Sequence, residues 1–75
     1  MSTYKIYKTN QSGKVTSFGV FTKENYSKMV FKAERIKIVN KGYKIIDYDG
    51  KDKVFEKITF VNKHNAQLIL TLERI

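Results

Sequence analysis

The chain has 75 residues, no cysteine, one histidine and a formal net charge of +8 at pH 7. This length allows one domain and one core over residues 1–75, and the absence of cysteine excludes a disulfide framework, so the fold must rest on apolar packing, alone or completed by a second copy. The charge favours polyanionic partners, but 13 of the 15 basic residues are Lys, which is also what the AT-rich codons of a low-GC genome produce.

Two alternating segments open the chain. Tyr4–Lys8 and Val15–Phe21 are rich in residues that favour strands, and Asn10–Gly13 between them is a cluster of turn residues that permits a positive φ at Gly13. The pattern predicts an antiparallel pair of strands joined by a short loop.

A helix is predicted to start at residue 23. Thr22 is the expected N-cap and Glu24 lies in the first turn, while Phe21 and Tyr26 have the spacing of a hydrophobic staple. Asn40–Gly42 provides a basic last turn and a glycine stop. The expected buried stripe is Tyr26, Met29, Val30, Ala33 and Ile36.

A shorter helix is the alternative. Ile36–Val39 is β-branched, and Phe31 and Ile38 do not lie on the expected stripe. In this version the helix ends near Glu34, and residues 35–39 form a strand that turns at residues 40–42. We favour the longer helix.

Three further strands complete the predicted order. Tyr43–Tyr48 and Lys53–Val61 are expected to pair through a tight turn at Asp49–Gly50, and Gln67–Glu73 follows the polar break Asn62–Asn65. The fold class is therefore α+β, one small domain of order ββαβββ, with an antiparallel sheet of about five strands and one helix packed on one face.

The alternation of each strand assigns side chains to the two faces of the sheet. Under the helix we expect Tyr4, Ile6, Phe18, Val20, Ile45, Ile58, Phe60, Leu68, Leu70 and Leu72. On the open face we expect Lys5, Tyr7, Ser17, Lys44, Ile46, Tyr48, Phe55, Lys57, Thr59, Ile69 and Thr71.

Lysines interleaved with aromatic rings on a sheet are the composition of a single-strand nucleic-acid platform, where rings stack on bases and lysines neutralise phosphates. Two other interpretations stay open. Lys and Tyr pairs are common on exposed strands, and the same face has an apolar centre suited to a homodimer at Tyr7, Ile46, Phe55 and Ile69.

Three cations at Lys28, Lys32 and Arg35 align on one side of the predicted helix. They form a second candidate phosphate-binding stripe, although a solvated helix face has the same pattern. The candidate nucleic-acid-binding residues from both surfaces are Lys5, Tyr7, Lys28, Lys32, Arg35, Lys44, Tyr48 and Lys57.

Residues for catalysis or metal binding are sparse. His64 has no cysteine or second histidine to accompany it, and Asp47–Asp52 fails as a calcium loop because Asp52 and Ile58 stand where Gly and Glu are needed. The scattered glycines make no phosphate loop. We expect no enzyme activity, no catalytic residue, no metal and no cofactor.

Location and partners follow from these observations. Met1–Lys5 lacks the apolar stretch of a secretory signal and Leu68–Leu70 is too short to span a bilayer, so we expect a cytoplasmic protein that makes no membrane contact. The first hypothesis is an accessory protein that binds nucleic acid non-specifically. The alternatives are an interaction or inhibitory module of phage or mobile-element origin that docks on an acidic protein surface, and a self-associating structural subunit.

Overall fold

The computed structural model describes residues 3–51 and 55–75. It confirms the α+β class and the order ββαβββ, with one helix and five strands in a single small domain. The elements are β1 Tyr4–Asn10, β2 Val15–Phe21, α1 Glu24–Asn40, β3 Lys44–Lys51, β4 Phe55–Val61 and β5 Gln67–Arg74.

All neighbouring strands are antiparallel, and their order across the sheet is β2-β1-β5-β4-β3. The helix packs mainly against β1, β5 and β2, so it covers one part of the sheet and β3 lies at the uncovered edge. The domain is correspondingly elongated, with principal extents of 41 × 20 × 19 Å.

Two of the connections use an asparagine side chain in the same way. In the β1–β2 loop, the Asn10 Oδ1 accepts hydrogen bonds from the backbone N–H groups of Ser12 (3.0 Å) and Lys14 (2.9 Å), and Gly13 has a φ of 89°. This geometry satisfies the turn's backbone donors and needs a residue that tolerates positive φ. The predicted hairpin is confirmed.

The β4–β5 loop repeats this arrangement. The Asn62 Oδ1 accepts from the backbone N–H groups of His64 (2.9 Å) and Ala66 (3.0 Å), and Asn65 takes the positive φ of 62°. Asparagine tolerates this conformation better than most residues with a side chain. Both loops are therefore fixed by local hydrogen bonds.

The helix runs to Asn40, which confirms the longer of the two predicted versions. Its N-cap is Lys23 and not Thr22, and no side chain caps its first turn. The predicted contact between Phe21 and Tyr26 is present, because their rings meet edge to face at 5.5 Å. At the other end Gly42, with a φ of 96°, stops the helix as expected.

The buried side of the helix differs from the predicted stripe. Ser27, Phe31 and Ile38 are buried, whereas Tyr26 and Met29 are 54% and 67% exposed. Ile36 and Ala33 are also exposed, and Val30 is partly buried at the margin. The helix carries apolar residues on two sides, and the sheet packs against the side where small Ser27 allows close approach.

Most of the predicted sheet side of the core is confirmed, but Ile45, which was expected under the helix, is 45% exposed because β3 lies beyond the part of the sheet that the helix covers. The buried residues on the sheet side of the core are Tyr4, Ile6, Ile58, Phe60, Leu68, Leu70 and Leu72. Phe18, Phe21, Val30 and Tyr43 are partly buried against them. Burial of each large side chain stabilises the fold by about 1.5–3 kcal/mol.

Two irregularities in strand pairing move residues to the face opposite the one expected. In the β1–β2 pair, Gly19 lies opposite Ile6 and Ser17 opposite Tyr7, so Phe18 has no partner. Val20 then pairs with Lys5 on the open face, where it is 59% exposed. The assignment of Val20 to the core is wrong, because one extra residue in a strand reverses the alternation beyond it.

The second irregularity lies in β3. Ile45 pairs with Phe60, but the next pair joins Asp47 to Thr59, which leaves Ile46 as the extra residue. Tyr48 consequently lies opposite the fully buried Ile58, on the helix side of the sheet. The prediction that Tyr48 lies on the open face is wrong.

Asp49–Gly50 is not the predicted turn. Gly50 pairs with Glu56 and Lys51 pairs with Phe55, so the strand continues through both residues. Gly50 also lacks the positive φ that a two-residue turn at this position requires. Residues 52–54 lie outside the described residues, and so does the predicted strand start at Lys53.

Candidate polyanion interface

Four of the predicted site residues share the open face of the sheet. They are Lys5, Tyr7, Lys44 and Lys57, and the register places them on three strands, β1, β3 and β4. No element within residues 3–51 and 55–75 covers this face. A shallow depression of about 320 Å³ lies at its centre, lined by Tyr7, Thr9, Phe55, Lys57, Ile69 and Thr71.

Acidic residues on the same face reduce its positive charge. Glu73 lies opposite Lys5 on one side and Phe55 on the other, and Asp49 lies opposite Lys57. Asp47 joins them because of the extra residue in β3. The open face is thus a mixed surface in which carboxylates stand beside most of the lysines, and it repels phosphates as well as attracting them.

Tyr7 is already engaged by its neighbours. The Lys5 Nζ lies 5.3 Å from the centre of the Tyr7 ring, within cation–π range. Burial, and then the negative charge of Glu73, raise the pKa of the Tyr7 hydroxyl above its ordinary value of 10.0. A base that stacks on this ring must displace the lysine.

The remaining predicted residues lie on the helix side. Lys28, Lys32 and Arg35 follow one side of α1, as their spacing predicts. Arg35 is half-buried and lies near Tyr48, whose hydroxyl donates a hydrogen bond to the Glu56 Oε1 at 3.1 Å. The structure therefore divides the predicted residues between two surfaces and does not bring them into one site.

A different part of the molecule concentrates positive charge. The connections at residues 11–14, 41–43 and 62–66 meet at one end of the sheet, because Asn10 pairs with Leu68 and Val61 pairs with both Gln67 and Lys44. The backbone N–H of Gln67 donates to the Gln11 Oε1 at 3.1 Å and ties two of the loops together. We call residues 8–16, 37–45 and 60–68 the loop end.

The loop end contains no Asp or Glu, and all seven carboxylate side chains lie elsewhere in the chain. It therefore accounts for six of the eight net positive charges. Among the described residues the single ion pair joins the Lys37 Nζ to the Glu34 Oε2 at 3.4 Å, so its other lysines form none there. The lysines of the loop end are Lys8, Lys14, Lys37, Lys41, Lys44 and Lys63.

Sequence reasoning identified only Lys44 among these residues. The prediction assigned lysines to the two faces of the sheet and to one side of the helix. It did not include lysines in the connections that lie together at one end of the sheet. The predicted order ββαβββ with antiparallel strands already implied that these three connections lie together, and the absence of acids in all three segments was visible in the sequence.

Two concavities lie at the loop end. One, of about 280 Å³, lies between the end of α1 and the β1–β2 hairpin, and it is lined by Lys8, Asn10, Lys14, Thr16, Ile38, Lys41, Tyr43 and Leu68. The Lys8 Nζ is 5.7 Å from the Phe18 ring centre, within cation–π range. The other, of about 350 Å³, is lined by Gly42, Lys44, Val61, Asn62, Lys63 and Asn65.

Comparisons with protein-family models, with curated proteins and with solved structures found no match for the chain. Across residues 3–51 and 55–75, no helix is long and apolar enough to cross a membrane. The same residues hold no group of three or more His, Asp or Glu side chains placed to bind a metal ion.

Proposed function

We propose that the protein is a non-enzymatic, cytoplasmic accessory protein that binds the backbone of nucleic acid through the loop end. The observation that carries the proposal is the concentration of six lysines without a carboxylate at one end of the molecule. Nucleic acid presents a regular line of phosphates, and a local excess of ammonium groups releases the counterions that those phosphates hold.

The residue type indicates how the nucleic acid is bound. Lys is a flexible point charge, whereas reading a guanine edge needs the planar fork of Arg. Both arginines of the chain, Arg35 and Arg74, lie outside the loop end. Binding through the loop end is therefore expected to depend on salt and to vary little with base sequence.

Fluorescence anisotropy with labelled single- and double-stranded DNA and RNA tests this proposal. If about five lysines contact phosphates, the logarithm of the binding constant falls with the logarithm of the salt concentration with a slope of about −3.5 for single strands and about −4.5 for duplex DNA. The Lys44→Gln/Lys63→Gln variant is expected to bind about tenfold more weakly at ~50 mM salt.

The matched control is Lys28→Gln/Lys32→Gln, which removes the same charge from the helix. It is expected to change the affinity less than threefold, since only the long-range field is altered. Equal losses in the two variants would show that net charge, and not the loop end, governs binding. Absence of binding to every nucleic acid at ~50 mM salt, where phosphate contacts are strongest, would refute the proposal.

A second candidate function, docking on an acidic protein, is favoured by the exposed side of α1. Tyr26, Met29 and Ile36 are 54%, 67% and 49% exposed, and they lie on one side of the helix with Ala33. Lys32 borders them. An apolar strip edged by a cation suits an amphipathic partner helix with acidic margins. A second copy of this chain is a poorer partner, because its lysines would face the lysines of the first copy and repel them.

Pull-down from a nuclease-treated lysate tests this candidate. Met29→Glu and charge reversal at Lys28 and Lys32 are expected to abolish capture of a defined acidic protein, whereas Lys63→Glu leaves it unchanged. Recovery of nucleic-acid-dependent proteins alone would contradict it. Sedimentation over a concentration series separates the self-association alternative, because a monomer throughout excludes a dimer.

A further inference from the structure

We infer that the 280 Å³ cavity between the end of α1 and the first hairpin receives a terminal phosphate monoester of a nucleic-acid strand. This inference rests on the proposed function and specifies what the loop end recognises. Lys8 and Lys14 belong to the hairpin and Lys41 to the helix end, so three lysines from two parts of the chain line one cavity.

Neutral donors accompany the three lysines. Thr16 and Tyr43, which carry hydroxyl groups, line the same cavity. The Asn10 Oδ1 is occupied by hydrogen bonds from the Ser12 hydroxyl and from two backbone N–H groups, so the side chain offers its NH₂ group as a donor. The cavity lining contains no carboxylate.

This set of groups fits a phosphate monoester better than other anions. A planar carboxylate is matched by the fork of Arg, which the cavity lacks, whereas lysines bind a tetrahedral phosphate as point charges. A monoester carries a charge of about −1.5 to −2 at pH 7, compared with about −1 for a backbone diester. Three ammonium groups therefore favour the end of a strand over its interior.

The size and the floor of the cavity point to a nucleotide. A volume of about 280 Å³ is near the lower limit for small-molecule sites, so it holds one terminal residue and not a longer segment. Ile38 and Leu68 form an apolar part of the lining. A sugar or base edge can rest there while the phosphate meets the ammonium groups.

The position at a helix C-terminus does not prevent anion binding. The last turn exposes carbonyl groups equivalent to about half a negative charge. The backbone N–H groups of Lys41 and Gly42 donate to the Ile38 and Val39 carbonyl oxygens at 3.1 and 3.0 Å, which satisfies part of that turn. Three ammonium groups exceed the remaining half charge.

The test compares one oligonucleotide with a 5′-phosphate, a 3′-phosphate or hydroxyl groups at both ends. At ~50 mM salt, at least one phosphorylated form is expected to bind about fivefold more tightly than the hydroxyl form. The Lys14→Gln/Lys41→Gln variant is expected to lose this preference. Lys44→Gln/Lys63→Gln, which removes equal charge outside the cavity, is expected to weaken every form and to keep the ratio.

The outcomes separate the two proposals. Equal binding of all three forms with normal salt dependence overturns the terminal-phosphate inference and leaves the proposed function intact. Absence of binding of every form overturns both. Adenosine monophosphate is expected to displace the phosphorylated oligonucleotide from the cavity at lower concentration than adenosine does, and equal competition by the two also overturns the inference.

Discussion

The orientation of α1 gives a sharp prediction, because two isoleucines two residues apart have opposite environments. Ile38 is 4% exposed and Ile36 is 49% exposed. Replacing each by Val removes one methylene group and leaves the helix propensity almost unchanged. Ile38→Val is expected to lower the free energy of unfolding by about 1 kcal/mol, and Ile36→Val by less than about 0.5 kcal/mol.

These changes are measurable in a domain of this size. A 75-residue chain has a free energy of unfolding of about 4–11 kcal/mol, so neither variant unfolds it. With a urea m-value of about 1 kcal/mol/M, the midpoint falls by about 1 M for Ile38→Val and by less than about 0.5 M for Ile36→Val. The chain contains no Trp, so circular dichroism is the suitable probe. A larger loss for Ile36→Val would show that the helix buries the side on which Tyr26 and Met29 lie.

Three further predictions concern the turns and the alkaline stability. Gly42→Ala is expected to destabilise the fold by about 1 kcal/mol in urea unfolding, because φ is 96° and no atom lies within 4 Å of the added methyl group to offer a contact; unchanged stability would contradict the left-handed helix stop. Asn62→Ala is expected to cost about 1–2 kcal/mol through two lost hydrogen bonds, and Asn62→Asp, which keeps the acceptor oxygen, less; equal costs would show that the side-chain oxygen does not hold the loop. The pKa of Tyr7 is higher in the folded state, so the folded state keeps the hydroxyl proton to higher pH than the unfolded state does. The stability that protonated Tyr7 contributes is therefore complete below pH 10.0 and is lost as the pH rises through the folded pKa. Tyr7→Phe should therefore flatten the alkaline decline in urea midpoint, and an unchanged decline would exclude this origin.

The predictions from sequence succeeded where the determining contacts are local. Asn10 and Gly13 define one turn, and Gly42 ends the helix through its own backbone conformation. Turns and helix ends depend on residues close together in the chain, so a short stretch of sequence is enough to predict them. The order of elements and the buried strand residues followed from these boundaries and from the period of two.

The rotation of the helix was not predictable in this way. Phe31 and Ile38 compete with Met29 and Ile36 for burial, and both sets have helical spacing. The choice depends on which side fits the sheet. Ser27, whose hydroxyl donates to the Glu24 carbonyl oxygen at 2.7 Å, satisfies its polar group within the helix and allows burial of that side.

The strand irregularities had unequal signals in the sequence. Gly19 has a φ of 126°, and a glycine inside a strand often marks an extra residue, so the reversal at Val20 was detectable. Ile46 gives no such indication. The consequence was large, because this one extra residue placed Asp47 and Asp49, and not Tyr48, on the open face.

The uncovered position of β3 makes the domain unequal in rigidity. This strand pairs with β4 alone and lies beyond the region that α1 covers, so its amide hydrogens should exchange with solvent through local opening, while those of β1 and β5 exchange only when the whole chain unfolds. Lys44 begins β3, and Lys14 lies in the loop that joins β1 to β2. A nucleic-acid strand that contacts both Lys44 and Lys14 would stabilise the pairing of β3, and slower amide hydrogen exchange along β3 would measure this binding.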